Sequence, residues 1–365
     1  MFNMENVINK NIKVFVALSG GVDSAVTAAL LVEQGYDVTG VFMKNWSGDE
    51  FGIQTDCPWK KDQDDAESVC IKLNIPFRSF NFEKEYKDKV VDYFFKEYKL
   101  GRTPNPDVMC NKEIKFGIFM KKAKEMGADL IATGHYARVR LNQETKEYEL
   151  LKGLDVNKDQ SYFLCELTQE QLKNTLFPIG EYIKPYIRKL ADKYGLPVAQ
   201  KPDSQGICFV GEINVAKFLR SNIKVHQGNI MDIDSQKIVG KHDGIEFYTI
   251  GQREGLYIGG AREPYFVVGK DKDKNIAYVA MGKNNPKIYS NKVIFEDLKW
   301  INKFENTNIS NLTACIRYRG RTERGVLNIK KRTFLFHQPQ RAITEGQKIV
   351  FYEGEILRSS ATITS

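Results

Sequence analysis

With 365 residues, 42% of them hydrophobic, the chain is long enough for two or three cored domains and too apolar for a disordered polymer. Its net charge of +8, from 54 basic and 46 acidic residues, is a modest excess that permits a nucleic-acid partner without requiring one. No run of 18 apolar residues occurs, so neither a transmembrane helix nor membrane attachment is expected, and residues 1–10 lack a signal-peptide core. The expected location is therefore cytoplasmic. There the cysteines at 57, 70, 110, 165, 208 and 315 are thiols rather than structural bridges. No pair has Cys-x-x-Cys spacing, which argues against a standard zinc site.

In chain order, Ile12–Leu18 is a short β-branched run and reads as a buried strand. A Gly-rich turn follows. Helical spacing over Asp23–Gln34 closes at Gly35. Strands are predicted at Asp37–Met43, Pro76–Phe80 and Asp129–Thr133. Helices are predicted at Asp64–Leu73, Glu83–Leu100 and Glu113–Met126. This alternation predicts a parallel sheet covered on both faces. Near residue 222 the pattern changes to short strands separated by turn signals, such as Lys241-His242-Asp243-Gly244 and Lys283-Asn284-Asn285-Pro286. The expected fold is α/β plus all-β. A catalytic parallel-sheet domain spans 1–222, a small central β-rich domain 223–284, and a C-terminal β-barrel 285–365.

Ser19-Gly20-Gly21-Val22-Asp23-Ser24 lies between a predicted strand and a helix. Glycines let backbone N–H groups approach a phosphate, and the helix N-terminus adds partial positive charge. There is no Gly-Lys-Ser/Thr ending and no Gly-x-Gly-x-x-Gly, so neither a Walker loop nor a dinucleotide turn is indicated. Asp23 is a hard-oxygen candidate for placing Mg²⁺ on a nucleotide's phosphates. The alternative is a ligand-free strand–helix turn.

Cys110 lies in Thr103-Pro104-Asn105-Pro106-Asp107-Val108-Met109-Cys110-Asn111-Lys112. Two prolines keep the start of this stretch out of helix, and a helix is expected to begin near Cys110. A thiol there would have a lowered pKa, with Lys112 adding to the field. Asp107 is placed to exchange a proton beside it. Cys208, in Asp203-Ser204-Gln205-Gly206-Ile207-Cys208-Phe209, sits 98 residues later. Inert packing is the reading for Cys70, Cys165 and Cys315, and Cys57 is ambiguous.

These motifs together resemble the tRNA-specific 2-thiouridylases, within the PP-loop ATP pyrophosphatases. The resemblance covers nearly the whole chain. It rests on Ala17–Ser24, Phe42–Trp46, Gly101–Phe116, Ala132–Tyr136, Asn157–Leu164, Asp203–Phe209, Gly251–Leu256 and Pro339–Ala342. The loop is shared with other PP-loop enzymes. The Asn-Pro-Asp-x-x-Cys-Asn-Lys stretch with its distant second cysteine is far more specific.

The resemblance implies ATP-dependent replacement of the C2 oxygen of a tRNA wobble uridine by sulfur, on tRNAs for Lys, Glu and Gln. It implies that Cys110 is the nucleophile and that Cys208 carries sulfur as a persulfide. ATP, with Mg²⁺, would touch Ala17, Leu18, Ser19, Gly20, Gly21, Val22, Asp23, Ser24, Met43 and Gly134. Asn105, Pro106 and Asp107 would frame the target base beside His135. Lys158, Asp159, Gln160, Arg317 and Tyr318 would touch tRNA. Implied partners are a cysteine desulfurase or relay protein as sulfur donor and a thiol reductant, around a monomer. An iron–sulfur cluster on Asp107, Cys110 and Cys208 is the second-ranked reading. Two rival functions stay open: a PP-loop synthetase for a small acceptor, and a tRNA-binding or sulfur-relay protein with an idle loop.

Overall fold

The computed structural model describes residues 9, 11–47, 59–203, 215–220, 222–302 and 308–365. The chain divides into two units. One comprises Met1–Val90, Pro106–Ile213 and Glu355–Arg358, and the other Val91–Asn105, Asn214–Gly354 and Ser359–Ser365.

The first unit is built on a five-stranded parallel sheet. The run KVFVAL forms β1 (Lys13–Leu18), flanked by β2 (Asp37–Lys44), β3 (Phe77–Asn81) and β4 (Leu130–Thr133). An antiparallel hairpin follows, β5 (Ala137–Leu141) and β6 (Tyr148–Lys152), whose second strand pairs with Ile356 and Leu357. The short β7 (Thr175–Leu176) completes the parallel sheet in the order β3-β2-β1-β4-β7. Helix α1 (Val22–Glu33) is apolar on two faces because it is covered on two sides. Ala28 and Leu31 pack with Val14, Val16 and Leu18 of β1 and with Ala66 and Cys70 of α2 (Trp59–Leu73). Val26, Ala29 and Leu30 pack with Ile187, Leu190 and Ala191 of α3 (Lys184–Lys193). Each buried Val, Leu or Ile among them contributes about 1.5–3 kcal/mol, so α1 is held by packing rather than by caps. Its N-cap, Gly21, supplies no side-chain hydrogen bond.

Two predicted helices are present with a different internal geometry. The Glu83–Leu100 expectation is met by helix Glu83–Tyr86, a π-turn at Lys87–Val91 and helix Asp92–Lys99. The Glu113–Met126 expectation starts too late. Helical structure begins with Pro106–Met109, runs through a π-helical stretch Cys110–Phe119 and ends in Met120–Glu125. Pro106 is the reason: proline's fixed φ suits the first helical position, where its missing N–H costs nothing. The hairpin 137–152 and helix α3 had no counterpart among the predicted elements.

The second unit carries two β structures. A four-stranded sheet has the order β10-β11-β8-β9, formed by β8 (Gly228–Asp232), β9 (Ile238–His242), β10 (Tyr265–Asp271) and β11 (Ile276–Met281). The others are β12 (Tyr289–Trp300), β13 (Asn308–Cys315), β14 (Glu323–Asn328), β15 (Thr333–Arg341), β16 (Lys348–Glu353) and β17 (Ile356–Ile363). They close into a six-stranded barrel through the β12–β17 pairing. Val293, Phe295, Phe334, Phe336 and Phe351 fill its interior. Closure leaves this barrel no unpaired edge. The α/β-plus-all-β expectation therefore holds, with a parallel-sheet domain, a central domain and a C-terminal barrel. No helix among the described residues is long and apolar enough to cross a membrane.

Candidate active site

The parallel register brings the nucleotide-loop candidates together. Ala17 of β1 is opposite Val41 of β2 and Thr133 of β4. The chain ends that follow, Ser19–Ser24, Met43 and Gly134, therefore emerge at the same carboxyl edge of the sheet. Ala17, Leu18, Val22 and Met43 are buried, so any contact from the first three to a ligand is a backbone contact. Gly20 has φ +73° and lies against the backbone of Asp62, where a Cβ would collide. Gly134 lies on the start of α1. A Cβ on it would sit 2.8 Å from Ser24 N and 2.9 Å from the Asp23 carbonyl carbon. Inside the loop, Ser24 Oγ accepts from Ser19 N at 3.2 Å and donates to Gly21 O at 3.0 Å. The first N–H groups of a helix have no partner within it. Two side-chain-free residues and the buried Ser24, bonded to the exposed Ser19, thus shape a cradle whose walls are backbone. That fits a polyphosphate.

Asp23 is not left facing solvent alone. Its Oδ1 accepts from Tyr136 Oη at 2.8 Å and from Lys184 Nζ at 2.7 Å. The same ammonium is 2.7 Å from Asp203 Oδ1. Asp203 is also paired with Lys158 at 2.6 Å and Arg188 at 2.8 Å. Burial works to raise the Asp203 carboxyl, but the Lys158 and Lys184 contacts override it and hold it at about 2. Burial and the Asp23 charge push the Tyr136 phenol well upward, so it is a donor here. Asp155 accepts from the Lys184 backbone N–H at 2.8 Å and so fixes the start of α3. The sequence motifs include Tyr136 and Asp203, but none contains Lys184.

Cys110 is fully buried, one helical turn inside the start at Pro106. The expected position at a helix N-terminus is therefore corrected: the helix-end field acts within the first turn, and Cys110 lies beyond it. Lys112, expected to add positive field, is 3.0 Å from Glu166 and 3.6 Å from Glu113. Those two carboxylates offset its charge. Asp107 is in the first turn of the short helix. Asn105 lies on the other side of the unit boundary, and its Nδ2 donates to Gln347 Oε1 at 3.3 Å. Gln347 Nε2 donates in turn to Thr103 O and Pro104 O, at 2.9 and 3.1 Å. Thr103 N donates to Glu345 O at 2.8 Å. Gln347 is thus a support for the Thr103–Asn105 stretch that sequence reading missed, since a lone glutamine carries no signal. Cys57 and Cys208 lie outside the described residues. Cys70, Cys165 and Cys315 are buried.

Residues 12–212 match the family model described as tRNA methyl transferase HUP domain, residues 216–281 its PRC-barrel domain, and residues 290–363 the aminomethyltransferase beta-barrel domain. The chain is 48% identical to "tRNA-specific 2-thiouridylase MnmA" of Listeria monocytogenes serovar 1/2a, over 97% of this chain and 95% of that one. It is equally 48% identical to the protein of the same name from Alkaliphilus oremlandii, over 97% of each. The chain belongs to the tRNA-specific 2-thiouridylase family. Among solved structures, a 4-thiouridine synthetase–RNA complex with bound ATP is 18% identical, with a TM-score of 0.33, covering 55% of this chain and 45% of that one.

For a member of this family, the remaining candidates take varied positions. His135 is buried between Phe116 and Phe177, and its Nδ1 is 2.7 Å from Thr133 Oγ1. Burial, with Lys115 nearby, lowers its pKa well below the ordinary value, so the ring is neutral. Lys158 is paired with Asp203, as above. Asp159 accepts from Gly153 N at 2.9 Å and from Ser161 N and Oγ at 3.0 Å. Gln160 Oε1 accepts from Tyr136 N at 3.0 Å. The side chains of Asp159 and Gln160 thereby brace the Gly153–Ser161 loop and Tyr136, a role their sequence setting did not signal. Arg317 is exposed in the turn between β13 and β14. Tyr318 carries the Arg319 guanidinium 5.1 Å above its ring, and Arg319 has φ +56°. Cys315 Sγ donates to Arg317 O at 2.8 Å and pins the base of this turn. Among the described residues no group of three His, Cys, Asp or Glu could hold a metal ion.

Proposed function

We propose that the chain thiolates C2 of the wobble uridine of tRNAs for Lys, Glu and Gln, at the expense of ATP. The observation that carries this reading is the backbone-walled cradle of Ser19–Ser24 and Gly134 in a chain that also holds a buried Cys110 in an Asn-Pro-Asp-x-x-Cys helix start. A uridine C2 carbonyl is a poor electrophile and its oxygen a poor leaving group. The oxygen attacks the α-phosphorus of ATP, the bond to the β-phosphate breaks, and pyrophosphate leaves in the cradle. Mg²⁺, when bound near Asp23, supplies charge to those phosphates. The terminal sulfur of a Cys208 persulfide then attacks C2, and AMP departs with the oxygen. Cys110 thiolate attacks Cys208 Sγ, releasing the thiolated base and leaving a Cys110–Cys208 disulfide. An external thiol reduces it. In the alternative order, Cys110 attacks first and frees hydrosulfide as the nucleophile. Asp107 exchanges the proton beside Cys110.

Arg317 and Tyr318 suit a tRNA grip, being a guanidinium and an aromatic ring on an exposed turn. Lys158 reaches tRNA in this reading only by giving up Asp203. The test measures AMP and pyrophosphate with and without tRNA, in the wild type and in Cys110→Ala. tRNA-dependent AMP formation without thiolation in the variant supports the reading. AMP formation on a small acceptor without tRNA sinks it.

A further inference from the structure

We propose that Lys184 is a further residue of the nucleotide site and supplies the cation that the loop itself lacks. No Lys or Arg occurs in Ser19–Ser24. A loop that binds pyrophosphate as leaving group gathers negative charge as the α–β bond breaks, and its own backbone dipoles offset only part of it. Asp23, the second residue of α1, adds a further negative charge at that place. Lys184 answers both problems. It is the first residue of α3, and Pro185 behind it presets the helix start. The Asp155 carboxylate holds its backbone N–H, and the two carboxylates of Asp23 and Asp203, each at 2.7 Å, hold its ammonium from opposite partners. The ammonium is nearly buried, with 11% of the side chain exposed, so solvent screens it little. It is thereby fixed at the first turn of α1, where the N–H groups converge. The bound lysine acts as a charge of fixed position on a ligand with several anionic oxygens.

This inference rests on the nucleotide reading of the loop, and its test is separable from that reading. Binding of magnesium pyrophosphate and of AMP is measured separately by calorimetry on the full chain. Lys184→Met is expected to weaken pyrophosphate about ten-fold or more while AMP binding holds, and Lys184→Arg to recover most of the loss. Because Lys184→Met strands a carboxylate, the comparison is repeated on an Asp23→Asn background. There a further loss of pyrophosphate affinity with Lys184→Met supports a cation that acts on the phosphates. Equal affinity in Asp23→Asn and in Asp23→Asn/Lys184→Met overturns it, because Lys184 would then serve only to offset Asp23. Loss of AMP and pyrophosphate alike also overturns it, in favour of a purely architectural role. The adenylation reading fails on a different result, the absence of tRNA-dependent AMP formation in the wild type.

Discussion

Gly134→Ala is the sharpest probe of the nucleotide cradle. The added Cβ would stand 2.8 Å from Ser24 N, 2.9 Å from the Asp23 carbonyl carbon and 3.0 Å from Ser24 Cα. All three are backbone atoms at the start of α1, so no flexible side-chain tip can swing away. Relief requires α1 or the end of β4 to shift by several tenths of an ångström. α1 is packed on both sides, against β1 and against α3, so the shift is resisted. Forcing one methyl into such a site costs about 1–3 kcal/mol. At about 1.4 kcal/mol per factor of ten, ATP affinity should fall roughly five- to 100-fold if the strain falls on the cradle. If it falls on the fold instead, the melting temperature should drop by about 2–10 °C. The assay pairs the ATP KM for tRNA-dependent AMP formation with a thermal melt. Gly259→Ala, where a Cβ meets nothing within 4 Å, is the control and should be silent in both. A Gly134→Ala protein with the wild-type KM and the wild-type melting temperature would refute the packing argument.

Other expectations follow from single contacts. Gln347→Ala removes one acceptor and two donor contacts around Thr103–Asn105 and should lower kcat/KM for tRNA by about ten-fold, at about 1–1.5 kcal/mol net, with AMP binding unchanged. Asp203, held at about 2 against an ordinary 3.8, stabilises the fold above pH 3.8 and loses that contribution as pH falls towards 2. Asp203→Asn should therefore flatten the acid limb of a pH-unfolding curve in that window, and an unchanged limb would contradict the assignment. Burial, aided by Glu67, raises the Cys70 thiol to about 12. At pH 8 its thiolate fraction is then about one in ten thousand, and peptide mass spectrometry should find it unalkylated in the native protein.

The parallel sheet was legible because buried β-branched runs and two-sided helices leave strong marks: β1, α1 and β2 fall within a residue or two of their expected bounds. The loop's place between a strand and a helix was legible because its glycines are consecutive between two apolar runs. The brace around it was not. Tyr136, Lys184 and Asp203 are separated by tens of residues, and only the fold brings their polar atoms together. Cys110 shows a local failure. The two prolines were expected to hold the stretch out of helix until near Cys110, but the second one opens the helix, which moves the thiol inward by a turn. Nothing in the sequence around Asp159 and Gln160 reveals that their side chains accept from the backbone N–H groups of Gly153, Ser161 and Tyr136.

The interleaving of the two units has a consequence for synthesis. Residues 355–358 belong to the first unit, where Ile356 and Leu357 pair with Leu151 and Leu150 of β6. Those residues are made only after β8–β16. Until then β6 carries an open hydrogen-bonding edge on a growing chain. Removing the final eleven residues should therefore injure the N-terminal unit as well as the barrel. β6 thus gains its second strand neighbour only after β8–β16 have been made.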